Sequence, residues 1–250
     1  SCAHASFEQK QLKHALDFAT SNRLELEILL QHYTYDSLKL EAAKFLIRNM
    51  PHCYSYQQGG EMDSVKRVRT YYSPFGQIDQ TYARRWGHYT YRNLPKIYDA
   101  HIITAEYLID NIDRAFDNWQ KRPWNRSLSF EDFCEYLLPY RIGDEPLEEW
   151  RELYEKKYGY LLDSIYKGSD VVEAANLVSR HLQEPVFIYC EDFELPHIGP
   201  RYLFSHRYGS CVDAADIVTY AFRAVGIPCM EDTDARGGHV WNVVRDTTES

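Results

Sequence analysis

The chain has 250 residues, of which 44% are hydrophobic and 26% are charged, proportions typical of a globular protein rather than a fibrous or disordered one. Its net charge of −9 argues against nucleic acid as a partner, because a phosphate backbone attracts proteins with a basic excess. No apolar run reaches the roughly 20 residues that cross a membrane. The six cysteines are scattered, without a CxxC or Cys/His cluster, so we expect no metal and no cofactor.

Cys2 follows a small residue at the very start, an arrangement left by cleavage of a lipoprotein signal. The residue is then either a lipid attachment point that holds an exported protein at a membrane or an ordinary thiol, and the sequence leaves both open.

Apolar residues at helical spacing predict helices over 12–19, 24–33 and 38–50, and most clearly over 99–120. Between the last two lies an aromatic insert, 52–98, which lacks a clean period. Its tyrosines either pack on the helices through hydrogen-bonded phenols or form a surface that stacks on sugars or contacts peptides. We therefore expect a helical region over 1–125.

The second region, 126–250, begins with more helices. Ser129 caps one, Pro146 suits the first turn of the next, and Asp170 caps a third that ends before Pro185. From Val186 the pattern changes to a short β-like run, a loop, one more helix and two C-terminal strands. The sequence thus predicts an α+β fold.

The chemistry of the chain centres on Cys211, which the apolar pattern places at the start of a helix. Backbone N–H groups and the helix dipole favour a thiolate there, whereas Asp213 and Asp216 oppose it, so a cationic partner is needed. His239, on a predicted strand, is the partner we expect. Taken alone, each residue is more often a buried thiol or a satisfied strand histidine.

Four submotifs occur in order along this stretch: GSC at the helix start, the helix end AFRAVGIP, a strand, and GHVWNVV. Together they resemble the core of the transglutaminase-like superfamily of papain-like cysteine enzymes. Upstream, AAKFLIRNMPHCYSY and LPYRIGDEPLEEWR are similar to segments of large exported bacterial members. The resemblance implies a central helix packed against an antiparallel sheet, with Cys211 as nucleophile and His239 as base. It also implies an exported protein, periplasmic or at the cell surface.

The third member of the family's triad, an Asp or Asn, lies on the strand after the histidine strand, and the sequence stops at Ser250 before that position. We therefore expect a truncated sheet in the core, a His239 ring without the side chain that orients it, and little activity. Asp232, Asp234 and Asp246 are weak substitutes.

Further site residues are assigned more loosely. The backbone N–H of Cys211 is one oxyanion donor, and family members add an upstream side chain. Here the choice stays open between Tyr202, Tyr208 and Gln183.

Strand alternation puts Trp241 on the His239 face, where it would cover the imidazole, and Asn242 on the opposite face. Arg141 either binds a substrate carboxylate or forms an ion pair with Asp144 or Glu145.

These features predict a thiol-dependent acyl-transfer enzyme acting on an amide of a peptide, protein or glycopeptide. Hydrolysis is favoured over transamidation, because water is always available. The alternative is a non-catalytic glycan- or peptide-binding scaffold module of a surface protein, in which the Cys/His pair is vestigial.

Overall fold

The computed structural model describes residues 2–68, 90–189 and 195–246, and within these ranges it leaves out the side chains of residues 2–5, 61, 65, 67 and 68. Helices predominate. They are α1 (Cys2–Phe18), α2 (Arg23–His32), α3 (Ser37–Asn49), α4 (Glu61–Val68), α5 (Ala105–Lys121), α6 (Phe130–Tyr136), α7 (Arg151–Tyr160), α8 (Val171–Leu182), α9 (Pro200–Ser205) and α10 (Cys211–Val225). Short 3₁₀ turns occupy Thr20–Asn22, Met50–His52, Tyr91–Asn93, Asp99–His101 and Pro123–Ser127, and α7 continues into a wider π-type turn over Leu161–Ile165.

The strands of the described ranges form three small sheets of two strands each. β1 (Tyr54–Tyr56) pairs antiparallel with β2 (Lys96–Tyr98). β3 (Ile188–Tyr189) pairs parallel with β4 (Tyr208–Gly209), just before the start of α10. β5 (Cys229–Thr233) and β6 (Val240–Val244) form an antiparallel hairpin beside α10. The predicted α+β class is confirmed at this level.

Two large apolar clusters form most of the core of the described residues, and a third, smaller one consists of Tyr56, Met62 and Tyr91. The first joins α1, α2, α3, α5 and α6, with buried residues such as Leu29, Ile47 and Phe133. The second joins α7, α8, α10 and β5 around Tyr154 and Tyr220, both fully buried. α10 lies at the centre of the second cluster, because it contacts α7 and α8 as well as the hairpin. Such surroundings hold the first turn of α10 in place.

Two helix starts differ from prediction. The helix predicted from residue 99 begins at Ala105, where Thr104 caps it by accepting a hydrogen bond from the Tyr107 N–H. The helix predicted to begin at Pro146 begins instead at Arg151. The segment before Arg151 is held open because the Glu145 carboxylate accepts hydrogen bonds from the backbone N–H groups of Ile142 and Gly143.

The end of α10 joins the two clusters at Gly226, which has a φ of +82° and caps the helix in the left-handed conformation. A Cβ at this position would lie 2.7 Å from the Asn118 carbonyl oxygen of α5. The Gly226 carbonyl accepts hydrogen bonds from the Trp124 indole and the Asn125 amide, both at 2.9 Å. Glycine is therefore required both for the turn and for the close approach of α5.

The aromatic insert is more ordered at its two ends than the sequence predicted, since β1, α4 and β2 lie there. Tyr54, Tyr56 and Tyr98 pack edge to face across the β1–β2 pair, and Tyr56 also packs against Tyr91. Residues 69–89, which contain the remaining aromatic side chains of the insert, lie outside the described residues.

No helix in the described ranges is both long enough and apolar enough to cross a membrane.

Candidate functional site

Cys211 is the first residue of α10, as predicted, and its side chain is half-buried. A capping box holds this end: Ser210 caps the helix, and the Asp213 carboxylate accepts a hydrogen bond from the Ser210 backbone N–H at 2.8 Å. Asp213 is therefore committed to the cap. The preceding Gly209 has no Cβ, and one would overlap with the Asp213 side chain. These contacts explain the GSC sequence in structural terms.

A groove runs along the face of α10 that carries Ala214 and Val218. Ala214 and Val218 lie three and seven residues after Cys211 and so share its helix face, and both line the groove. The opposite wall comes from the end of α8 and the segment after it, including Leu182 and Phe187. The space has a volume of about 380 Å³ and is lined mainly by apolar residues, with Arg207 and Gln183 among the polar ones.

β6 lies on the other side of the Cys211 face. The Asn242 side-chain amide donates hydrogen bonds to the Ala215 carbonyl at 3.0 Å and to the Thr219 hydroxyl at 2.9 Å. β5 runs back along α10 after the Gly226 turn, so β6 runs in the same direction as the helix. Asn242 therefore fixes the level of the strand on the helix.

This register brings His239 to the level of Cys211. His239 precedes Asn242 by three residues, about 10 Å of extended chain. Cys211 precedes the midpoint of Ala215 and Thr219 by six residues, about 9 Å of helix. The backbones of the two predicted catalytic residues thus lie at the same end of the helix–hairpin unit.

The side chain of His239 does not face α10. Its exposed ring lies 6.1 Å from the Trp241 ring, centroid to centroid, and Trp241 is 39% exposed. The two rings share a face, as predicted, but Asn242 is the residue that contacts the helix. β6 therefore packs against α10 through the face opposite to the predicted one. The reason is that the Asn242 amide finds two acceptors on α10, so its polar group is satisfied on the side that packs against the helix.

Neither the Cys211 thiol nor the His239 ring forms a hydrogen bond within the described part of the chain. The three weak substitutes for the third triad member do not change this. Asp232 accepts from the Thr233 N–H, Asp234 accepts from the Gly238 N–H in the hairpin turn, and Asp246 is the last described residue.

The three candidate oxyanion donors lie in different surroundings. The Tyr202 hydroxyl donates to the Lys66 carbonyl at 2.8 Å, so its proton is engaged away from Cys211. Tyr208 lies on β4, three residues before Cys211, and is half-buried. Gln183 lines the groove opposite Ala214 and Val218. Of the three, the latter two lie near the Cys211 face.

The guanidinium of Arg141 is buried and engaged by Asp99: its Nε lies 2.6 Å from Asp99 Oδ2, and its Nη2 contacts the other carboxylate oxygen. Nη1 lies 3.6 Å from the Glu145 carboxylate, which agrees with the ion-pair alternative for that residue. The main partner, Asp99, was not predicted. Because both edges of the fork are occupied, Arg141 stabilises the fold rather than offering a free site to a substrate carboxylate.

Sequence reasoning also missed a charged pair that joins the loop before α9 to α10. His197 Nδ1 donates to the fully buried carboxylate of Asp216 at 2.9 Å. Burial alone would lower the pKa of His197, but the charge and hydrogen bonding of Asp216 outweigh burial and raise the pKa to about 10. Asp216 is five residues after Cys211 and so lies about 140° round the helix from it. The pair therefore faces the core and not the groove.

The pair continues into a polar network. Glu231 of β5 lies next to Asp216, and burial raises the pKa of the Glu231 carboxyl. Thr219 donates to Glu231 at 2.9 Å and in turn accepts from Asn242. One signal in the sequence points to this network: an aspartate among the apolar residues of a core helix requires a buried partner.

Of the other described thiols, Cys134 and Cys229 are buried and Cys53 is half-buried. Burial raises the pKa of Cys53 to about 11, that of Cys134 to about 12 and that of Cys229 to about 11. All four described side chains are free thiols. Within the same ranges, no group of three or more His, Cys, Asp and Glu side chains is placed to hold a metal ion.

Comparison with protein-family models, curated proteins and solved structures gives no match in any of the three.

Proposed function

We propose that the chain carries a transglutaminase-like acyl-transfer site, with Cys211 as nucleophile and His239 as acid and base. The single observation that carries this proposal is the register of β6 on α10, because Asn242 fixes His239 at the level of the half-buried thiol. The first turn of α10 supports it, since free backbone N–H groups stabilise both a thiolate and an oxyanion.

The chemistry follows the usual course of a cysteine acyl transfer. The thiolate attacks the carbonyl carbon of an amide, the C–N bond breaks, and the leaving amine takes a proton from the His239 imidazolium. A thioester then links the acyl group to Cys211 Sγ. His239 next takes a proton from water, whose oxygen attacks the thioester carbon. The C–S bond then breaks, which releases the carboxylic acid and restores the Cys211 thiolate and the His239 imidazolium.

The proposal requires the His239 ring to turn from Trp241 toward Cys211. Two glycines precede His239, and Gly237 has a φ of +67°, so this end of the hairpin has more backbone freedom than the strand itself. Because His239 lies before the first residue of β6, its reorientation leaves the Asn242 contacts intact.

Alkylation by iodoacetamide, followed by peptide mass spectrometry, tests the nucleophile without a substrate. We expect Cys211 to react at least about tenfold faster at pH 7 than Cys53, Cys134 and Cys229, with a pH midpoint below about 8.5. The variant H239Q should move that midpoint upward. A Cys211 midpoint at or above about 8.5 in the unaltered protein would overturn the proposed function.

Disulfide cross-linking tests whether the side chains at positions 211 and 239 can come into contact. In H239C, mild oxidation should join the new thiol to Cys211, because a disulfide needs Cα atoms within about 7 Å. The matched control is W241C, which places a thiol two residues farther along the same strand face. A cross-link in the control and none in H239C would contradict His239 as the partner.

A further inference from the structure

The groove along α10 contains a buried cation without a matching charge. Arg207 is only 6% exposed and lines the groove together with Ala214 and Val218. Its Nη2 donates to the Tyr158 hydroxyl at 2.8 Å, and its buried Nε has no hydrogen-bond partner. Among the described residues, no carboxylate forms an ion pair with Arg207.

The other buried arginines of the described chain are compensated. Arg122 pairs with Asp163 at 2.8 Å, and Arg141 pairs with Asp99. Arg151 and Arg223 lack a carboxylate, but each donates to several backbone carbonyls. Arg207 has one neutral acceptor. Leaving a buried charge so poorly paired costs free energy that the fold itself does not recover.

We infer that the groove binds the acyl substrate through a carboxylate on the substrate that pairs with Arg207, beside an apolar side chain that fills the rest of the space. The inference rests on the proposed acyl-transfer function only in taking the bound molecule as a substrate. The substrate class is then an amide whose peptide part carries both an apolar side chain and a free carboxylate.

The walls of the groove supply the apolar half of this recognition. Leu182 and Phe187 face Ala214 and Val218, and Val186 at the rim is 76% exposed. A volume of about 380 Å³ accommodates a side chain the size of leucine together with its backbone. In such surroundings a charge pair is screened less than in water, so Arg207 discriminates strongly between a carboxylate and a neutral amide.

Two small probes that differ only at the carboxylate test the inference by isothermal titration calorimetry: N-acetyl-L-leucine and N-acetyl-L-leucinamide. We expect the acid to bind the unaltered protein at least about tenfold more tightly than the amide. R207M should abolish this preference, whereas R180M, which removes an exposed charge from the last turn of α8, should retain it. Equal affinity of the two probes for the unaltered protein would overturn the inference, even if R207M did not fold.

The variant C211S separates this inference from the proposed function. It should bind the acid as the unaltered protein does, because binding needs the groove and not the thiol. Acid binding that depends on Arg207, together with an unreactive Cys211, would refute the acyl-transfer function and leave the carboxylate site standing. A reactive Cys211 together with equal binding of the two probes would refute the carboxylate site and leave the acyl-transfer function standing.

Discussion

The imidazole of His197 lies against the fully buried carboxylate of Asp216, with Nδ1 2.9 Å from Oδ1 and 3.0 Å from Oδ2. Glu231, Asp144 and Glu145 also act on this pair, from β5 and from the segment before α7. The pair anchors the loop before α9 to the central helix, so its charge state contributes to stability.

This contact predicts a pH-dependent stability. The pKa of His197 is raised from 6.5 to about 10 in the folded protein, so the stabilisation is complete below about pH 6.5 and declines as the pH rises toward 10. H197N should therefore lower the free energy of unfolding by about 3 kcal/mol at pH 6 and by much less at pH 10. Urea titrations across this range measure the difference. H181N serves as the control, because the His181 ring forms its hydrogen bond with the nearby Leu177 carbonyl of the same helix, and a constant difference for H197N would contradict the pairing.

The buried ion pair of Asp99 and Arg141 predicts a large loss of stability in D99N, about 3 to 5 kcal/mol, because the variant removes the main carboxylate partner of the buried Arg141 charge. The double variant D99N/R141M should recover part of the loss. D17N breaks the exposed ion pairs of Asp17 with Lys13 and Arg23 and should cost far less than D99N. Chemical denaturation of the four proteins checks this order, and a loss in D99N as small as that in D17N would disprove it.

The lack of a side chain at Gly209 should affect the reactivity of the Cys211 thiol through the helix cap. In G209A the new methyl group displaces Asp213, so the cap is lost and the protein is destabilised by about 1 to 2 kcal/mol. The rate of Cys211 alkylation should fall in parallel. G238A is the matched control, because a Cβ there lies at an ordinary 3.6 Å from Asp234. If both variants keep the melting temperature and alkylation rate of the unaltered protein, the capping role of Asp213 is wrong.

The register of β6 is tested by a double-mutant cycle between Asn242 and Thr219. N242A and T219V each remove one side of a 2.9 Å hydrogen bond, so their effects on the free energy of unfolding should be coupled by about 1 kcal/mol. W241A should show no coupling to T219V, since Trp241 lies on the other face. Coupling through Trp241 instead would restore the face that the sequence predicted.

Local patterns in the sequence predicted much of the fold. The start of α10 at Cys211 and its end at Gly226 follow from a capping box and a glycine stop, which are short-range signals. The start of α7 was misplaced because a proline that suits a first turn also suits a loop. Here the Glu145 carboxylate, which accepts from the Ile142 and Gly143 N–H groups, holds the segment ahead of α7 as a loop.

The candidate site was less predictable, because its decisive contacts are long-range. Asp99 and Arg141 are 42 residues apart, and no local pattern joins them. Strand alternation sorts the residues of β6 into two faces but does not say which face packs against α10. That choice depends on which residue finds a hydrogen-bond partner on the helix. A threonine on a core helix is the only hint that Asn242 and not Trp241 would contact it.

The junction at Gly226 sets the smallest piece of this chain that retains the Cys211 helix. Arg122 donates to the Val225 carbonyl, and Trp124 and Asn125 donate to that of Gly226, so three residues from the end of the helical region complete the last turn of α10. Expression of residues 126–250 alone would uncap that turn and expose the apolar surface that α5 covers. An excised domain meant for enzymology should therefore begin ahead of Asp99, so that it carries both α5 and the carboxylate that pairs with Arg141.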